Sequence, residues 1–180
     1  MKEYIVEYKK VIPSRICEKI ISYFDVDYQD AGIMSGKNKN IRNCLTRSIL
    51  QTKTLGEAIC ANAVKEKIFH CVDAYNTMHD VKIEKISQLD ILKYEKNEFD
   101  AGYKFHTDMG AGCADRHLSI SICLNNEYEG GEFVFNLPSG KYTMPQNVGD
   151  AVIFPSNFMF PHQVNRITKG TRYAIIGWVV

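Results

Sequence analysis

The chain has 180 residues, a length typical of one folded domain with a single hydrophobic core. Its 45% apolar and 24% charged residues are ordinary for a soluble globular protein. The net charge of +1 provides no basic field of the kind that nucleic-acid or anionic-membrane binding requires. We therefore expect neither nucleic acid nor a membrane as partner, and the sequence leaves the oligomeric state open.

The cysteines indicate a reducing compartment. The first ten residues contain no apolar run of the signal-peptide kind, and no stretch approaches the roughly 20 apolar residues of a membrane span. Disulfides are rare without export, so we expect reduced thiols and a cytoplasmic location. The six cysteines form no C-x-x-C pair; they are Cys17, Cys44, Cys60, Cys71, Cys113 and Cys123.

The N-terminal half reads as mainly helical. A strand from Glu3 to Tyr8 precedes a helix that starts at Pro13-Ser14, and the polar stretch from Tyr28 to Asn43 predicts a long loop. A second helix is expected from Thr54 to Met78, packed on a sheet through one apolar stripe. The residues of that stripe are Leu55, Ile59, Ala63, Ile68, Cys71, Val72 and Tyr75.

After Asp80 the pattern changes to short β-rich runs separated by turn residues. Two of the turns contain Gly130-Gly131 and Gly149-Asp150. The pattern predicts a mainly β fold with N-terminal helices: a double-stranded β-helix, or jelly roll. We expect a single domain over residues 1–180, with helical support over about 1–80 and the β core over about 81–180. The eight runs are KIEKISQLDILKY, YKFHTD, HLSISICLN, GEFVFN, KYTMP, DAVIFP, PHQVNRI and TRYAIIGWVV.

The tripeptide HTD, from His106 to Asp108, is the first candidate for chemistry. Residues i and i+2 of a strand project to the same side, so an imidazole and a carboxylate converge on one point. A further histidine must complete a metal site, and His117 and His162 each open a predicted strand. Two histidines and one carboxylate form the facial triad of non-haem Fe(II) oxygenases, which leaves positions open for a 2-oxo acid and O2.

Arg172 is the candidate for a second group that this chemistry needs, a cation at about one co-substrate length from the metal. A guanidinium binds the distal carboxylate of 2-oxoglutarate in bidentate fashion. Arg172 lies ten residues after His162, and the Thr168–Gly170 segment between them reads as a turn. We therefore expect His162 and Arg172 on adjacent antiparallel strands, with Arg172 deep in the barrel behind the metal.

The block from Tyr94 to Val179 resembles the prolyl 4-hydroxylase-like branch of the Fe(II)/2-oxoglutarate dioxygenases. The resemblance is carried by YEKNEFDAGYKFHTD, RHLSISICLN, YEGGEFVF, VGDAVIFPS and PHQVNRITKGTRYAIIGWV, and the helix VIPSRICEKIISYF is also similar. It implies that His106, Asp108 and His162 ligate iron and that Arg172 binds the distal carboxylate of 2-oxoglutarate.

The resemblance also implies four further site residues. Tyr94 matches a tyrosine that lines the co-substrate pocket, and Tyr103 matches an aromatic residue near the substrate. Arg116 and Trp178 fall at the rim and the wall of the active site. Two features depart from the family: the glycine expected after Tyr94 is missing, and a tyrosine near the LN pair is replaced by Ile122 or Cys123.

The implied activity is hydroxylation of an unactivated C–H bond, foremost of a prolyl residue in a peptide or protein, with release of succinate and CO2. The implied cofactors are Fe(II), 2-oxoglutarate and O2, with ascorbate as a supporting reductant. The Tyr28–Asn43 loop and the stretch from Met109 to Ala114 are candidate covers of the site. Two alternatives remain: a cupin-like metalloenzyme that does not use 2-oxoglutarate, and a non-enzymatic β-sandwich binding module.

Overall fold

The protein is described by a computed structural model covering residues 1–33, 36–96 and 101–180. A short 3-10 helix (Lys2–Tyr4) precedes two α-helices, α1 (Ser14–Phe24) and α2 (Leu55–His79). None of the helices in these ranges is long and apolar enough to cross a membrane. The strands are β1 (Val6–Tyr8), β2 (Gln29–Asp30), β3 (Arg42–Asn43), β4 (Leu45–Ser48), β5 (Ile86–Glu95), β6 (Gly102–His106), β7 (Leu118–Cys123), β8 (Tyr128–Gly130), β9 (Phe133–Leu137), β10 (Gly140–Thr143), β11 (Ala151–Pro155), β12 (His162–Val164) and β13 (Ile167–Val179).

The strands form two antiparallel sheets. The larger sheet has the order β1-β11-β7-β13-β5-β4-β2, with β8 added alongside β13, and the smaller has the order β10-β9-β12-β6-β3. Aromatic and aliphatic side chains from both sheets, such as Tyr94 and Phe135, pack in one buried cluster. The predicted mainly β architecture, a double-stranded β-helix with helical support, is confirmed.

The two helices cover the outer face of the larger sheet. Buried residues of α1 and α2 share one cluster with the outward-facing side chains of β5, β7, β11 and β13. Helix α2 begins with a capping box, in which Thr54 accepts from the Glu57 backbone and Glu57 accepts from the Thr54 backbone. It ends at Asp80, which adopts a left-handed conformation with φ of 51°.

The predicted apolar stripe of α2 is correct only in its second half. Leu55 and Ile59 are 78% and 61% exposed, so that part of the prediction was wrong. The buried face near the helix start is set instead by Glu57, whose carboxylate lies 2.7 Å from the guanidinium of buried Arg47. Cys60 lies one turn after Glu57 on the same side of α2, so that Cys60, rather than Ile59, faces the core.

Two expectations for the N-terminal region need correction. The first predicted strand begins as the 3-10 helix, and only Val6–Tyr8 is extended. The predicted Tyr28–Asn43 loop contains the short strands β2 and β3, while its residues Met34 and Ser35 lie outside the described ranges. Asn97, within the block that carries the family resemblance, lies outside them as well.

Candidate metal centre

Three side chains from two strands meet at one end of the smaller sheet. His106 is the last residue of β6, His162 is the first of β12, and the two are register partners. Asp108 follows β6 by two residues. One ligand atom from each of the three lies within 4.8 Å of the others, the one such group of histidine, cysteine or acidic residues in the described part of the chain. The three residues proposed from the sequence are therefore brought together.

The hydrogen bonds of both histidines fix which nitrogen faces that common point. Nδ1 of His106 lies 2.8 Å from the Lys104 carbonyl oxygen, and Nδ1 of His162 lies 3.1 Å from that of Phe160. A carbonyl can only accept, so each Nδ1 carries the proton and donates it. Each Nε2 then faces Asp108, at 3.5 and 3.6 Å from the carboxylate oxygens. This is the tautomer that metal-ligating histidines adopt.

Asp108 is oriented by a chain of two buried hydroxyls. The Ser119 hydroxyl donates to Oδ2 of Asp108 at 2.6 Å, so the Ser156 hydroxyl, 2.8 Å from that of Ser119, is the donor in the second bond. Burial raises the pKa of the Asp108 carboxyl, but His162, His106 and the Ser119 hydroxyl outweigh it and hold that pKa well below its usual range. The carboxylate is therefore ionised and ready to bind a cation.

The surroundings of His162 keep it neutral. Burial, reinforced by the adjacent His106 ring, lowers the pKa of His162 to about 4. A neutral imidazole is the form that binds a metal. The His106 ring stacks on Tyr103 with ring centroids 3.4 Å apart, and His162 stacks on Phe133 at 5.0 Å, so both imidazoles are held by aromatic neighbours.

A cavity of about 330 Å³ connects this group to Arg172. Arg172 is 1% exposed, and no carboxylate of the described residues pairs with its guanidinium. Its Nε donates to the amide oxygen of Gln146 at 3.3 Å, and the Tyr128 hydroxyl donates to the same oxygen at 2.9 Å. A buried guanidinium with neutral partners is matched to an anionic ligand.

A close backbone approach makes room for the Arg172 side chain. Gly131 has a φ of +69°, and a Cβ at that position would lie 3.0 Å from Cδ of Arg172. It would also lie 2.4 Å from the Ile167 side chain. The predicted Gly130-Gly131 turn is therefore also part of the Arg172 pocket.

The expected strand arrangement of His162 and Arg172 was wrong. Strand β12 pairs with β6 and β9 in the smaller sheet, whereas β13 pairs with β5, β7 and β8 in the larger one. Residues 168–170, predicted as a turn, lie within β13. His162 and Arg172 therefore reach the same cavity from opposite sheets.

The remaining residues proposed from the sequence also line the cavity. The Tyr94 ring lies under the guanidinium of Arg172, 5.3 Å away, and Tyr94 is 1% exposed. The guanidinium of Arg116 stacks on the indole of Trp178 at 3.6 Å. From the two candidate covering segments, Gly32, Ile33, Arg42 and Cys113 contribute to the lining.

Several site residues were missed by sequence reasoning. The serines of the LSISIC strand alternate with aliphatic residues, and that alternation could have indicated a polar inner face at Ser119. The same argument applies to the alternating polar residues Gln88 and Asp90 in β5. Gln146 and Tyr128 lie outside any periodic pattern, and only their contacts with Arg172 reveal them.

A double-stranded β-helix with two histidines and an aspartate lining its cavity defines a class of β-barrel proteins that can hold a metal ion. The sequence profile of the 2OG-Fe(II) oxygenase superfamily matches residues 89–180, slightly more than half of the chain. The chain belongs to this superfamily.

Curated relatives agree with this membership. A PKHD-type hydroxylase of Idiomarina loihiensis is 29% identical over 96 residues, which are 53% of this chain and 43% of that protein. A PKHD-type hydroxylase of Acaryochloris marina is 28% identical over 131 residues, covering 71% and 58% respectively. The chain spans about half the length of these curated relatives.

Solved structures with the same fold include a prolyl-4-hydroxylase from Pseudomonas putida, with a TM-score of 0.76 and 19% identity over 97% of this chain and 91% of that one. A prolyl hydroxylase from Trichoplax adhaerens, in complex with a hypoxia inducible factor peptide fragment, has a TM-score of 0.77 and 18% identity over 98% and 83%. At such identities the likeness shows the fold: that of the prolyl hydroxylases.

Proposed function

We propose that the protein is an Fe(II)- and 2-oxoglutarate-dependent dioxygenase that hydroxylates an unactivated C–H bond of a prolyl unit. The observation that carries the proposal is the pairing of two features in one cavity. Two histidines fixed by backbone carbonyls present Nε2 to Asp108. The buried Arg172 guanidinium, which lines the same cavity, has only neutral partners among the described residues.

In this proposal His106, Asp108 and His162 hold Fe(II), since one carboxylate and two neutral imidazoles are the donor set that non-haem iron oxygenases use. Arg172 binds the distal carboxylate of 2-oxoglutarate, with Tyr94 packed beneath it. Bound iron supplies the redox centre for O2. One oxygen atom enters the substrate C–H bond as a hydroxyl, the other enters succinate, and CO2 is released.

The side chains of this chain position the reactants and keep water out. The cavity walls formed by Phe133, Phe154 and Leu92 are buried and apolar. Tyr103 stacks on the His106 ring and Trp178 lines the same cavity, where both can orient a substrate C–H bond. The prolyl assignment is supported by the fold, which is shared with the prolyl hydroxylases from Pseudomonas putida and Trichoplax adhaerens.

Anaerobic titration tests the co-substrate site. Fe(II) followed by 2-oxoglutarate should give a weak visible charge-transfer band, because the 2-oxo acid chelates the iron. Arg172→Ala removes a charge-assisted bond worth about 1.5–3 kcal/mol and should raise the 2-oxoglutarate concentration at half-saturation by about tenfold or more. A protein that binds iron without forming the band would be a cupin-like metalloenzyme. One that binds no iron would be a binding module.

Mass spectrometry tests the reaction. Proline, prolyl peptides and a host lysate are incubated with the protein, Fe(II), 2-oxoglutarate and ascorbate, and succinate is measured in parallel. We expect a product heavier by one oxygen atom and formed in equal amount to succinate. Oxidation of residues other than proline, with none at proline, would contradict the prolyl assignment and leave the reaction class standing.

A further inference from the structure

One wall of the cavity holds two opposite charges that do not pair with each other. Asp90, on β5, is 7% exposed, and Arg116 lies in the segment before β7; both line the cavity. No ion pair joins them, and neither has an ion-pair partner among the described residues. An unmatched buried charge is costly, so Asp90 is suited to a ligand cation, and the half-buried guanidinium of Arg116 is suited to an anionic or carbonyl group.

The Gln88 side chain holds these charges apart. Its amide oxygen accepts from Nη2 of Arg116 at 3.2 Å, while its amide nitrogen donates to Oδ2 of Asp90 at 2.6 Å. Gln88 and Asp90 alternate along β5 and so face the same side. Because both ends of the amide are engaged, Gln88 acts as a neutral spacer that prevents direct pairing.

The carboxylate of Asp90 has only neutral donors. Besides the Gln88 amide, the Thr46 hydroxyl lies 3.4 Å from Oδ2, the same oxygen atom. Both hydrogen bonds therefore converge on one oxygen and leave Oδ1 able to accept from another partner. An ammonium group in the cavity would supply both the missing charge and a donor.

The Arg116 end of the wall is rich in donors. Its guanidinium rests on the Trp178 indole and donates to two neutral acceptors, the Gln88 amide and the Asp108 backbone carbonyl at 3.3 Å. The indole Nε1 of Trp178 is buried, and it has no acceptor in the described part of the chain. A carboxylate or carbonyl oxygen in the cavity would complement the guanidinium.

We propose that Asp90, Gln88, Arg116 and Trp178, here named the zwitterion wall, bind the substrate through a free ammonium group at Asp90 and a carboxylate or carbonyl at Arg116, whose guanidinium rests on Trp178. The substrate is then a free α-amino acid or the N-terminal residue of a peptide. An internal prolyl residue does not fit, since its nitrogen is an uncharged amide. This inference rests on the proposed function in that the substrate shares the cavity with iron and 2-oxoglutarate.

Calorimetric titration of the anaerobic protein loaded with Fe(II) and 2-oxoglutarate tests the wall. The ligands are L-proline and the other free amino acids, a Pro-Gly amide with a free N-terminus, the N-acetyl derivatives of L-proline and of that amide, and a peptide with an internal proline. We expect binding of a ligand that has a free ammonium group and at least about tenfold weaker binding of its N-acetyl counterpart. The free amino acid and the dipeptide amide distinguish the two sources of that ammonium.

Two variants connect the result to the wall. Asp90→Asn keeps the shape but removes the charge, and should abolish the preference for the free amine; Asp73→Asn, on the exposed side of α2, removes the same charge elsewhere and should bind as the wild type. Gln88→Ala removes the spacer, so that Arg116 and Asp90 can pair, and should weaken binding of the free amine by about tenfold or more. Melting curves verify that each variant is folded.

The outcomes separate the two proposals. Equal binding of free and N-acetylated ligands, or an unchanged preference in folded Asp90→Asn, would refute the zwitterion wall while the charge-transfer band still supports the oxygenase. If the band never forms but amino acids bind in an Asp90-dependent manner, the wall stands and the proposed function fails.

Discussion

The two faces of the larger sheet are built from the same strands but differ in chemistry. In β7, Leu118, Ile120 and Ile122 pack outward in the cluster shared with the helices. Ser119 and Ser121, which alternate with them, line the cavity on the other face. All of β7 is buried, so burial alone does not distinguish the faces.

The long strand β13 repeats the contrast. Ile175 and Val179 pack against the helix layer, whereas Arg172 and Trp178 line the cavity. A polar side chain in a strand that is buried on both faces is costly unless it is hydrogen-bonded or serves a ligand. The outer face therefore packs the sheet against the helices, and the inner face carries the polar groups that serve the chemistry.

The largest effect is expected from removal of a metal ligand on the cavity side. Asp108→Ala removes the carboxylate from the His-Asp-His group, and we expect loss of stoichiometric Fe(II) binding and of 2-oxoglutarate-coupled succinate formation. Iron content after anaerobic loading and succinate production measure the two effects. The fold should persist, because Asp108 contributes no packing to the helix-side cluster.

Full iron occupancy with undiminished succinate formation in Asp108→Ala would overturn the metal assignment. Asp115→Ala is a matched control, since it removes a carboxylate from an exposed position in the same segment. That variant should load iron as the wild type does.

A substitution on the outer face of the sheet should lower the stability of the protein and leave co-substrate binding intact. Ile122 is 0% exposed, and Ile122→Ala leaves a cavity that should lower the free energy of unfolding by about 2–5 kcal/mol. Denaturant titration measures the loss, while the 2-oxoglutarate concentration at half-saturation should stay unchanged below the transition. A variant that kept its stability but lost co-substrate affinity would contradict the division between the faces.

The sequence predicts the fold well where periodicity is long. The second helix and the β-rich core were predicted because each extends over many residues with one repeat. Strands β2, β3 and β8 have two or three residues, too few for alternation to be visible. The Arg47–Glu57 ion pair could not be predicted from the sequence either, since these residues, ten apart in the chain, come into contact only once α2 has packed.

The site was predictable from residue types at fixed spacing. His106 and Asp108 share a strand end, and the family resemblance places His162 and Arg172 beside the cavity that the structure shows. The separation of ten residues between His162 and Arg172 does not determine whether β12 and β13 belong to the same sheet. A hairpin within one sheet and a connection from one sheet to the other are both compatible with that separation. Partners such as Gln146 become visible only through tertiary contacts.

Gln146 allows the inner face to be tested away from the metal. Gln146→Glu is nearly isosteric but places a carboxylate next to Nε of Arg172. The guanidinium would then have an internal ion-pair partner, and we expect the 2-oxoglutarate concentration at half-saturation to rise by about tenfold to a hundredfold. Iron affinity should be unaffected.

Gln163→Glu is the matched control, because Gln163 bonds Asn165 on the smaller sheet and has no contact with Arg172. If both glutamate variants kept the wild-type requirement for 2-oxoglutarate, Arg172 would not be the co-substrate anchor. If both lost affinity equally, net charge rather than the local ion pair would be responsible.

The smallest effect, and the sharpest test of the inner face, concerns a single hydroxyl. Ser119→Ala removes the donor to Oδ2 of Asp108, and loss of such an outer hydrogen bond typically costs about tenfold or more in metal affinity. Ser119→Thr retains the hydroxyl and should restore most of that affinity. Ser121→Ala, two residues further along the same face of β7, should leave the metal affinity unchanged. Competition with a chelator measures the Fe(II) affinity of all three variants. Ser119 and Ser121 are both buried serines of β7, so the two alanine variants are comparable. A loss of Fe(II) affinity confined to Ser119→Ala would mean that the hydroxyl acts through Asp108. Equal losses of Fe(II) affinity in both variants would mean that serine on this face serves packing alone.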